Sequence, residues 1–468
     1  MADQDTDVVV VGAGPGGYAA AFRSADLGMR TALIDTRERP GGVCLFVGCI
    51  PSKTLLSAAD LLQDAQEAEQ LGIKFAKPEI QLDKLREFKD KVVHKLTSGL
   101  SDIAKHRKVD FIQARATFED SSTVRLEGSR GPSRLRFKHA VIATGSIPAT
   151  LPGIELKSAR LMDSTGALAL EDLPASLLVV GGGYIGLELG SVYAALGSKV
   201  TVVELLDGLL PGVDRDLVRP LDKRVRNLFA GVHLKTKVVG LREVKGGLEV
   251  DFDGDIEPKK QVFSRVLVSV GRKPSSKGIG LENTRVKIDA KGFVEIDRQR
   301  RTADPAIFAI GDVAGQPMLA HKAMREGKVA VEVIAGQKSV FDNRAIPAVV
   351  FTNPEVAWVG MMDAEARAAG KKFKVTRFPW AASGRAVSLG RTEGLTKMLF
   401  DEQTGQVLGV GITGPRAGEL IAEGALAIEM GAVAEDLAVT IHTHPTLSET
   451  VGEAAEAFLG HATHIFRK

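Results

Sequence analysis

Asp7-Val8-Val9-Val10-Val11-Gly12-Ala13-Gly14-Pro15-Gly16-Gly17 is a β-branched run that ends in a glycine-rich turn. An alanine-rich stretch to Gly28 follows, and then the apolar run Thr31-Ala32-Leu33-Ile34-Asp35. The pattern predicts strand, turn, helix, strand. Gly12, Gly14 and Gly17 have the spacing of a dinucleotide fingerprint. The first allows a tight turn, the second lets a pyrophosphate approach the backbone, and the third packs the helix closely. The turn, with Pro15 in it, brings a helix N-terminus to the phosphates. Asp35, eighteen positions after Gly17, is placed to accept ribose hydroxyls.

The unit recurs. Residues 176–204 repeat residues 7–35 at a constant offset of 169, which carries the three glycines onto Gly181, Gly183 and Gly186 and Asp35 onto Glu204. Two dinucleotides are implied. Each copy is later followed by a strand that ends in glycine with a proline three residues on: Thr144-Gly145-Ser146-Ile147-Pro148 and Val270-Gly271-Arg272-Lys273-Pro274. Glu204 selects the nicotinamide cofactor. A carboxylate there accepts hydrogen bonds from a ribose 2′-hydroxyl and repels a 2′-phosphate, and Leu205-Leu206-Asp207-Gly208 offers no arginine for that phosphate. NAD is the expected partner of the second copy.

Between the two copies lies Gly41-Gly42-Val43-Cys44-Leu45-Phe46-Val47-Gly48-Cys49-Ile50-Pro51-Ser52-Lys53, which holds the only two cysteines of 468 residues. A reducing cytosol would not maintain a merely structural bridge, so a redox-active disulfide is the sharper reading; two buried free cysteines are the bland one. Five residues along an ideal helix separate two Cα atoms by roughly 8 to 9 Å. A disulfide tolerates at most about 7 Å. Closing the bridge therefore needs a distorted first turn, for which Gly41, Gly42 and Gly48 supply the freedom.

The segment Gly-Gly-Val-Cys-x4-Cys-Ile-Pro-Ser-Lys resembles the active-site segment of the flavin-dependent pyridine nucleotide-disulfide oxidoreductases of class I, and most closely that of the dihydrolipoamide dehydrogenases. The resemblance extends over essentially the whole chain. It implies FAD in the first nucleotide site and NAD in the second. Thr144-Gly145 and Gly271 resemble the family's domain-crossing signatures. Ala306-Ile307-Phe308-Ala309-Ile310-Gly311-Asp312 resembles its second flavin motif, with Asp312 on the ribityl chain. Lys53 and Glu188 are implied as a pair beside the flavin, the backbone at Ala320-His321 as a contact of its ring, and Tyr184 as a movable lid like that of glutathione reductases. Two departures stand out: Phe46, where many relatives have asparagine, and Asp35, where glutamate is commoner.

Asp312 lies beyond the second repeat, so the first domain is expected to be discontinuous. The expected order is FAD domain 1–150, inserted NAD domain 151–279, FAD domain again 280–345, and an interface domain 346–468. The fold class is α/β, with two Rossmann-like domains and a C-terminal α+β dimerisation domain. A charged helical region is expected from about residue 58 to 106. In the last domain Ile441-His442-Thr443-His444-Pro445-Thr446-Leu447-Ser448-Glu449 resembles the family's catalytic base segment. It implies His444 as base, oriented by Glu449, with a cis bond before Pro445. The family arrangement also implies a homodimer whose active site is shared, with Cys44 as the outer sulfur and Cys49 next to the flavin. Lipoyl domains of 2-oxo acid dehydrogenase or glycine cleavage complexes are the expected partners.

Composition bounds the alternatives. Lysine and arginine total 61 against 58 acidic residues, a formal charge of +3, so no nucleic-acid footprint is expected. Six residues precede Asp7, too few for a signal peptide, and no run of 18 apolar residues is evident. A cytoplasmic protein without a membrane span or metal site is expected.

Overall fold

The computed structural model describes residues 4–466. Among them, strand β1 (Gln4–Val11), helix α1 (Pro15–Asp26) and β2 (Thr31–Asp35) form the first unit as expected. Val8, Val9 and Val10 are buried on both faces, which is the requirement of a central parallel strand. Next come α2 (Gly42–Val47), α3 (Cys49–Glu67) and α4 (Leu82–His106), then β3 (Asp110–Gln113), β4 (Arg115–Phe118), β5 (Thr123–Glu127), β6 (Arg134–Ile142) and β7 (Ser146–Pro148). The first sheet runs β3-β2-β1-β6-β5-β4. The helical region between the cysteines and β3 is not continuous. Gly72 adopts a left-handed conformation (φ 79°) after α3, and an extended exposed stretch that includes Pro78 precedes α4.

The second unit comprises β8 (Leu161–Met162), α5 (Ser164–Ala169), β9 (Ser176–Val180), α6 (Tyr184–Ala195), β10 (Lys199–Val203), α7 (Arg215–Leu228) and β11 (Gly231–His233). An antiparallel sheet of β12 (Lys237–Val244), β13 (Gly247–Asp253) and β14 (Lys260–Phe263) follows, which the sequence reading missed. After β15 (Arg265–Val268) and β16 (Arg272–Pro274), the parallel sheet of the unit reads β11-β10-β9-β15-β8. The chain then returns. β17 (Ile307–Ala309) pairs parallel with the end of β6, Ile307 beside Ala140 and Ala309 beside Ile142, and α8 (Ala320–Ile334) packs on α1. The second Rossmann unit is thus inserted in the first.

The two glycine–proline strands meet each other. β7 and β16 pair antiparallel, with Lys273 opposite Ile147, so the crossing out of the first unit and the crossing back form one ribbon. Beyond residue 345 the strands β18 (Ala348–Val350), β19 (Glu355–Gly360), β20 (Phe373–Pro379), β21 (Leu395–Asp401) and β22 (Val407–Gly414) make an antiparallel sheet in the order 18-19-22-21-20. Helices α9 (Asp363–Ala368), α10 (Gly384–Ser388), α11 (Ala417–Met430), α12 (Ala434–Ala438) and α13 (Glu449–Leu459) complete it.

Among the described residues, the stretch Gly42–Leu71 is long and apolar enough on average to cross a membrane by length and composition alone, although Lys53 and Asp60 interrupt its apolar run. Its apolarity has an internal use. Leu55, Leu56 and Ala59 are buried in a core shared with the second unit, the helix is interrupted at Gly48, and Lys53 makes an ion pair.

A buried charge cluster joins the second unit to the C-terminal domain. Lys397 on β21 is fully buried, and its Nζ lies 2.7 Å from Asp214, 3.1 Å from Asp216 and 2.9 Å from Asp363. Burial pushes the Asp216 carboxyl up, but Arg377 and Lys397 outweigh it and hold it below the ordinary range. Its stabilising share is therefore present above the usual carboxylate pKa and is lost as pH falls through the lowered one. Lys397→Met leaves three acids without their buried partner, at an expected cost of about 3 to 5 kcal/mol. A urea midpoint equal to that of the unaltered protein would rule this out.

Candidate functional site

The two nucleotide turns are built alike down to single hydrogen bonds. Gly12 (φ 102°) and Gly181 (φ 108°) both lie in the left-handed region, and a Cβ on either would meet the backbone of the neighbouring strand, at Ala143 or Ser269. A Cβ on Gly17 or Gly186 would collide with the carbonyl of Gly12 or Gly181. Gly14 and Gly183 differ from these. A Cβ there meets nothing within 4 Å, so the middle glycine of each turn faces open space where a pyrophosphate can approach. The residues fit two dinucleotides on this ground.

The acids at the strand ends have a second task that the sequence did not disclose. Asp35 accepts from Ala13 N at 2.7 Å and from Arg37 N at 2.9 Å. Glu204 accepts from Gly182 N at 2.6 Å and from Leu206 N at 2.8 Å. These partners are again 169 positions apart. Each carboxylate thus fastens its own turn and keeps one lone pair per oxygen for a ribose. The shorter Asp35 reaches the same donors as Glu204. One arginine does approach this strand end. Arg215 packs against Gly208, but its guanidinium is held by the carbonyls of Leu209, Leu210 and Val213.

The cysteine segment is seated on the first turn. Gly41 N donates to Ala13 O at 2.8 Å, and a Cβ on Gly42 would lie 2.5 Å from Gly14 Cα. The expected distortion is a break between two helices. Cys44 lies in α2, Gly48 departs from helical geometry (φ −145°, ψ −118°), and Cys49 is the first residue of α3. A side chain on Gly48 would press on Val43 O at 2.8 Å and Cys44 Cα at 3.1 Å, so glycine lets the break fall this close to the first cysteine. Phe46, the departure noted above, lies under the Arg37 guanidinium, 5.0 Å from its ring centroid.

As thiols, Cys44 and Cys49 lie within hydrogen-bonding reach of each other. They differ in acidity. The hydrogen bond with Cys44 is the main cause that lowers Cys49 to about 7; burial opposes it, and Lys53 assists. Cys44 is raised by the same hydrogen bond and by burial. The proton therefore stays on Cys44 and the charge on Cys49.

Lys53, one turn along α3 from Cys49, donates to Glu188 Oε2 on α6 at 2.7 Å and lies 4.5 Å from the Phe351 ring centroid. Glu188 is buried, and its other oxygen accepts from Phe351 N at 2.9 Å. Tyr184, at the first position of α6, has its phenol pushed up to about 12 by burial, with Arg272 pulling it down and Asp312, Glu188 and Cys49 adding to the rise. Five of the singled-out side chains, Cys49, Lys53, Tyr184, Glu188 and Asp312, from three separate sequence regions, thus lie around the start of α6.

Asp312 follows β17, and its Oδ2 accepts from Ser146 Oγ at 2.5 Å. Ser146 in turn accepts from Arg272 Nε at 2.7 Å. Thr144 Oγ1 donates to Ser275 O at 2.7 Å, and Ser275 N donates to Gly145 O at 2.9 Å. Ser146, Arg272 and Ser275 were not singled out from the sequence. Their signal was the paired glycine–proline strands, which become informative once the two are known to lie side by side. Ala320 is the first residue of α8, and His321 Nε2 donates to Pro347 O at 2.7 Å.

His444 precedes a cis peptide bond, as expected, and its Nδ1 lies 2.8 Å from Glu449 Oε1. Thr446 N donates to the other oxygen of Glu449 at 2.7 Å. Burial pushes the Glu449 carboxyl up, but the His444 and Thr446 bonds outweigh it and hold it below the ordinary range. The carboxylate is an acceptor only, so Nδ1 carries the proton and Nε2 is left as the basic nitrogen. The imidazole is 77% exposed. Among the described residues its hydrogen bonding is confined to its own segment. His442, by contrast, is half-buried against Glu423.

Comparison with known proteins places these features. The family described as pyridine nucleotide-disulphide oxidoreductase matches residues 6–327, and its dimerisation domain matches residues 346–455. The dihydrolipoyl dehydrogenase of Haemophilus influenzae is 49% identical over 461 residues, covering 98% of this chain and 96% of that protein. That of Vibrio cholerae is 47% identical over 459 residues, with the same coverage. Among solved structures, LpdA from Mycobacterium tuberculosis superposes with a TM-score of 0.89 at 27% identity, covering 97% of this chain and 99% of that one. An HOCl-induced flavoprotein disulfide reductase, RclA from Escherichia coli, does so with a TM-score of 0.85 at 27% identity, covering 96% and 99%. With both of its domains matched, the chain belongs to the pyridine nucleotide-disulphide oxidoreductase family.

Proposed function

We propose that this chain is a homodimeric, NAD-dependent dihydrolipoyl dehydrogenase. It oxidises protein-bound dihydrolipoamide to lipoamide as the E3 component of 2-oxo acid dehydrogenase or glycine cleavage complexes, in the cytoplasm. The observation that carries the reading is the cysteine pair placed across a helix break that is seated against a phosphate-binding turn, with Cys49 the more acidic of the two. Alignment over nearly the full length with dihydrolipoyl dehydrogenases supports it. The domain limits belong to the same proposal: FAD domain 1–150 and 280–345, NAD domain 151–279, interface domain 346–468.

The chain's own residues then act in sequence. His444 Nε2 removes a proton from a thiol of the dihydrolipoyl group, because the thiolate is the attacking species. That thiolate attacks Cys44 Sγ in the oxidised enzyme; the Cys44–Cys49 bond breaks, and Cys49 takes the electron pair as a thiolate. The second substrate thiol, whose proton passes to solvent, attacks the mixed disulfide at the substrate sulfur, and the bond from that sulfur to Cys44 breaks. Lipoamide leaves, and Cys44 accepts a proton from His444. The resulting dithiol has the protonation found here. Bound at the two nucleotide turns, FAD would supply an acceptor for the electron pair of the cysteines, whose loss restores the Cys44–Cys49 bond, and NAD would supply the final hydride acceptor. Lys53 and Glu188 place a paired charge at this end of the site.

The His444 side chain has to meet the cysteines of some chain, and it points out of its own. Ile441 is 97% exposed, and Val439, Met430 and Leu426 of the same domain are also exposed. Apolar exposure on this scale suits a covered dimer face, with His444 carried to the partner's disulfide.

Dihydrolipoamide-dependent reduction of NAD by the purified protein is the test; no turnover in the presence of FAD would refute the reading. Cofactor choice is a separate prediction. NAD should be preferred over NADP by at least tenfold in kcat/KM, about 1.4 kcal/mol. Because Glu204 also fastens Gly182 and Leu206, Glu204→Gln with an introduced arginine should relax the preference with less damage than Glu204→Ala. Equal efficiency with NADP in the unaltered enzyme would refute the assignment.

A further inference from the structure

Helix α8 carries two buried charges that the reaction does not use. Lys322 is 5% and Glu326 1% exposed, one helical turn apart. Glu326 Oε2 accepts from Gly311 N at 2.6 Å, and Lys322 Nζ donates to Gly315 O at 2.7 Å. The two are 3.6 Å apart. Arg300, held in a left-handed conformation (φ 67°), donates to Glu326 Oε1 at 2.8 Å, and its guanidinium lies 4.8 Å from the Phe341 ring centroid. Each of these charges costs several kcal/mol to bury unless it is paired, and an aliphatic side chain would fill the same space without that cost. What the charges achieve is to hold both ends of one loop.

That loop, Gly311 to Gly315, contains Asp312 and is bounded by glycines with positive φ (74° and 144°). Glycine gives the loop its shape and also the greatest freedom to lose it. Among the described residues, the hydrogen bond that anchors the Asp312 carboxylate comes from Ser146 Oγ.

We propose that Lys322 and Glu326, backed by Arg300, are positioning residues for FAD: they clamp the 311–315 loop at both ends so that Asp312 is presented to the flavin side chain in one place. The inference rests on the reading of Asp312 as a FAD contact. Lys322 lies within the field of both acids, since Glu326 and Asp312 each favour its charged form against burial. Loss of Lys322 or Glu326 therefore frees one end of the loop and leaves the others imperfectly paired.

The test follows FAD release from the holoenzyme dimer by the rise of free-flavin fluorescence in mild guanidinium chloride, and FAD re-binding after dialysis. Unfolding of the flavin-free protein is recorded in parallel. Lys322→Met and Glu326→Leu should each weaken FAD affinity at least tenfold, and the double variant should lose less than the product of the two, because they share a loop. Lys322→Arg should recover most of the loss, since a guanidinium still donates to Gly315 O. Asp312→Ala should weaken FAD binding in its own right. If Asp312→Ala does so while both α8 variants bind FAD within twofold of the unaltered enzyme, the clamp is refuted and the Asp312 reading stands. If Asp312→Ala has no effect, both fall. Lower stability of the flavin-free protein with unchanged FAD affinity would mark Lys322 and Glu326 as merely structural and also overturn the proposal. Should Lys322→Met fail to fold, Glu326→Leu decides alone, and Glu326→Gln, which keeps an acceptor for Gly311 N, should recover most of its loss.

Discussion

Cys44→Ser is expected to abolish lipoamide turnover, by on the order of a thousandfold or more, and to leave FAD bound. It should also show a long-wavelength absorbance band from the Cys49 thiolate against the flavin. Cys49→Ser should lose activity equally and show no band. The structure adds a pH dependence. The Cys49 pKa is lowered to about 7, chiefly by the hydrogen bond with Cys44, so the reduced enzyme should gain the band as pH rises through neutrality and lose it below. Serine at position 44 can still donate that hydrogen bond, and alanine cannot. The band of Cys44→Ala should therefore appear at higher pH than that of Cys44→Ser. Coincident titrations would show that Lys53, not Cys44, governs the thiolate. A band in Cys49→Ser would reverse the two sulfur roles altogether.

His444→Ala should reduce kcat by roughly a hundredfold to ten-thousandfold, the usual range for a general base. Glu449→Gln should cost less, because an amide oxygen can still accept from Nδ1 while the charge that holds the tautomer is lost. The larger consequence concerns where His444 acts. Cys44→Ser and His444→Ala chains, each inactive alone, can be unfolded, mixed and refolded. A heterodimer built across the two-fold axis would contain one site with an intact cysteine pair facing an intact histidine. Its activity should approach half that of the unaltered dimer. Purified heterodimers without activity, or full activity in a monomer, would overturn the shared site.

Much of this architecture could be read from local pattern. The two nucleotide units announced themselves because their glycines are fixed by sterics: the contacts of Gly12 and Gly17 leave no room for any other residue. The disulfide segment was equally legible, since two cysteines five positions apart are rare, and even the need for a distorted turn followed from helix geometry. Its form was not. Whether the helix bends, unwinds or breaks depends on what Gly48 touches, and only the packing against Val43 and Cys44 shows a break. Hydrogen bonds between distant segments were also hidden. Ser146 and Arg272 are ordinary polar residues in sequence, and they gain meaning because β7 and β16 are paired. Lys322 and Glu326 look like a solvated i,i+4 pair on a helix, and burial alone distinguishes them. The second task of Asp35 and Glu204 was invisible for the same reason: a carboxylate that meets a ribose and one that meets an amide have the same letter.

The break at Gly48 gives the disulfide a direction. It makes Cys49 the first residue of a nineteen-residue helix, where the partial positive charge of the N-terminus adds to that of Lys53, and leaves Cys44 inside a separate short one. In thiol–disulfide exchange the sulfur of lower pKa is the better leaving group. An incoming thiolate therefore expels Cys49 faster by attacking Cys44 than it would expel Cys44 by attacking Cys49. On the proposed mechanism the regiochemistry is favoured by the backbone before any substrate arrives: a single glycine between two helices biases attack toward Cys44 and away from a mixed disulfide on the inner cysteine.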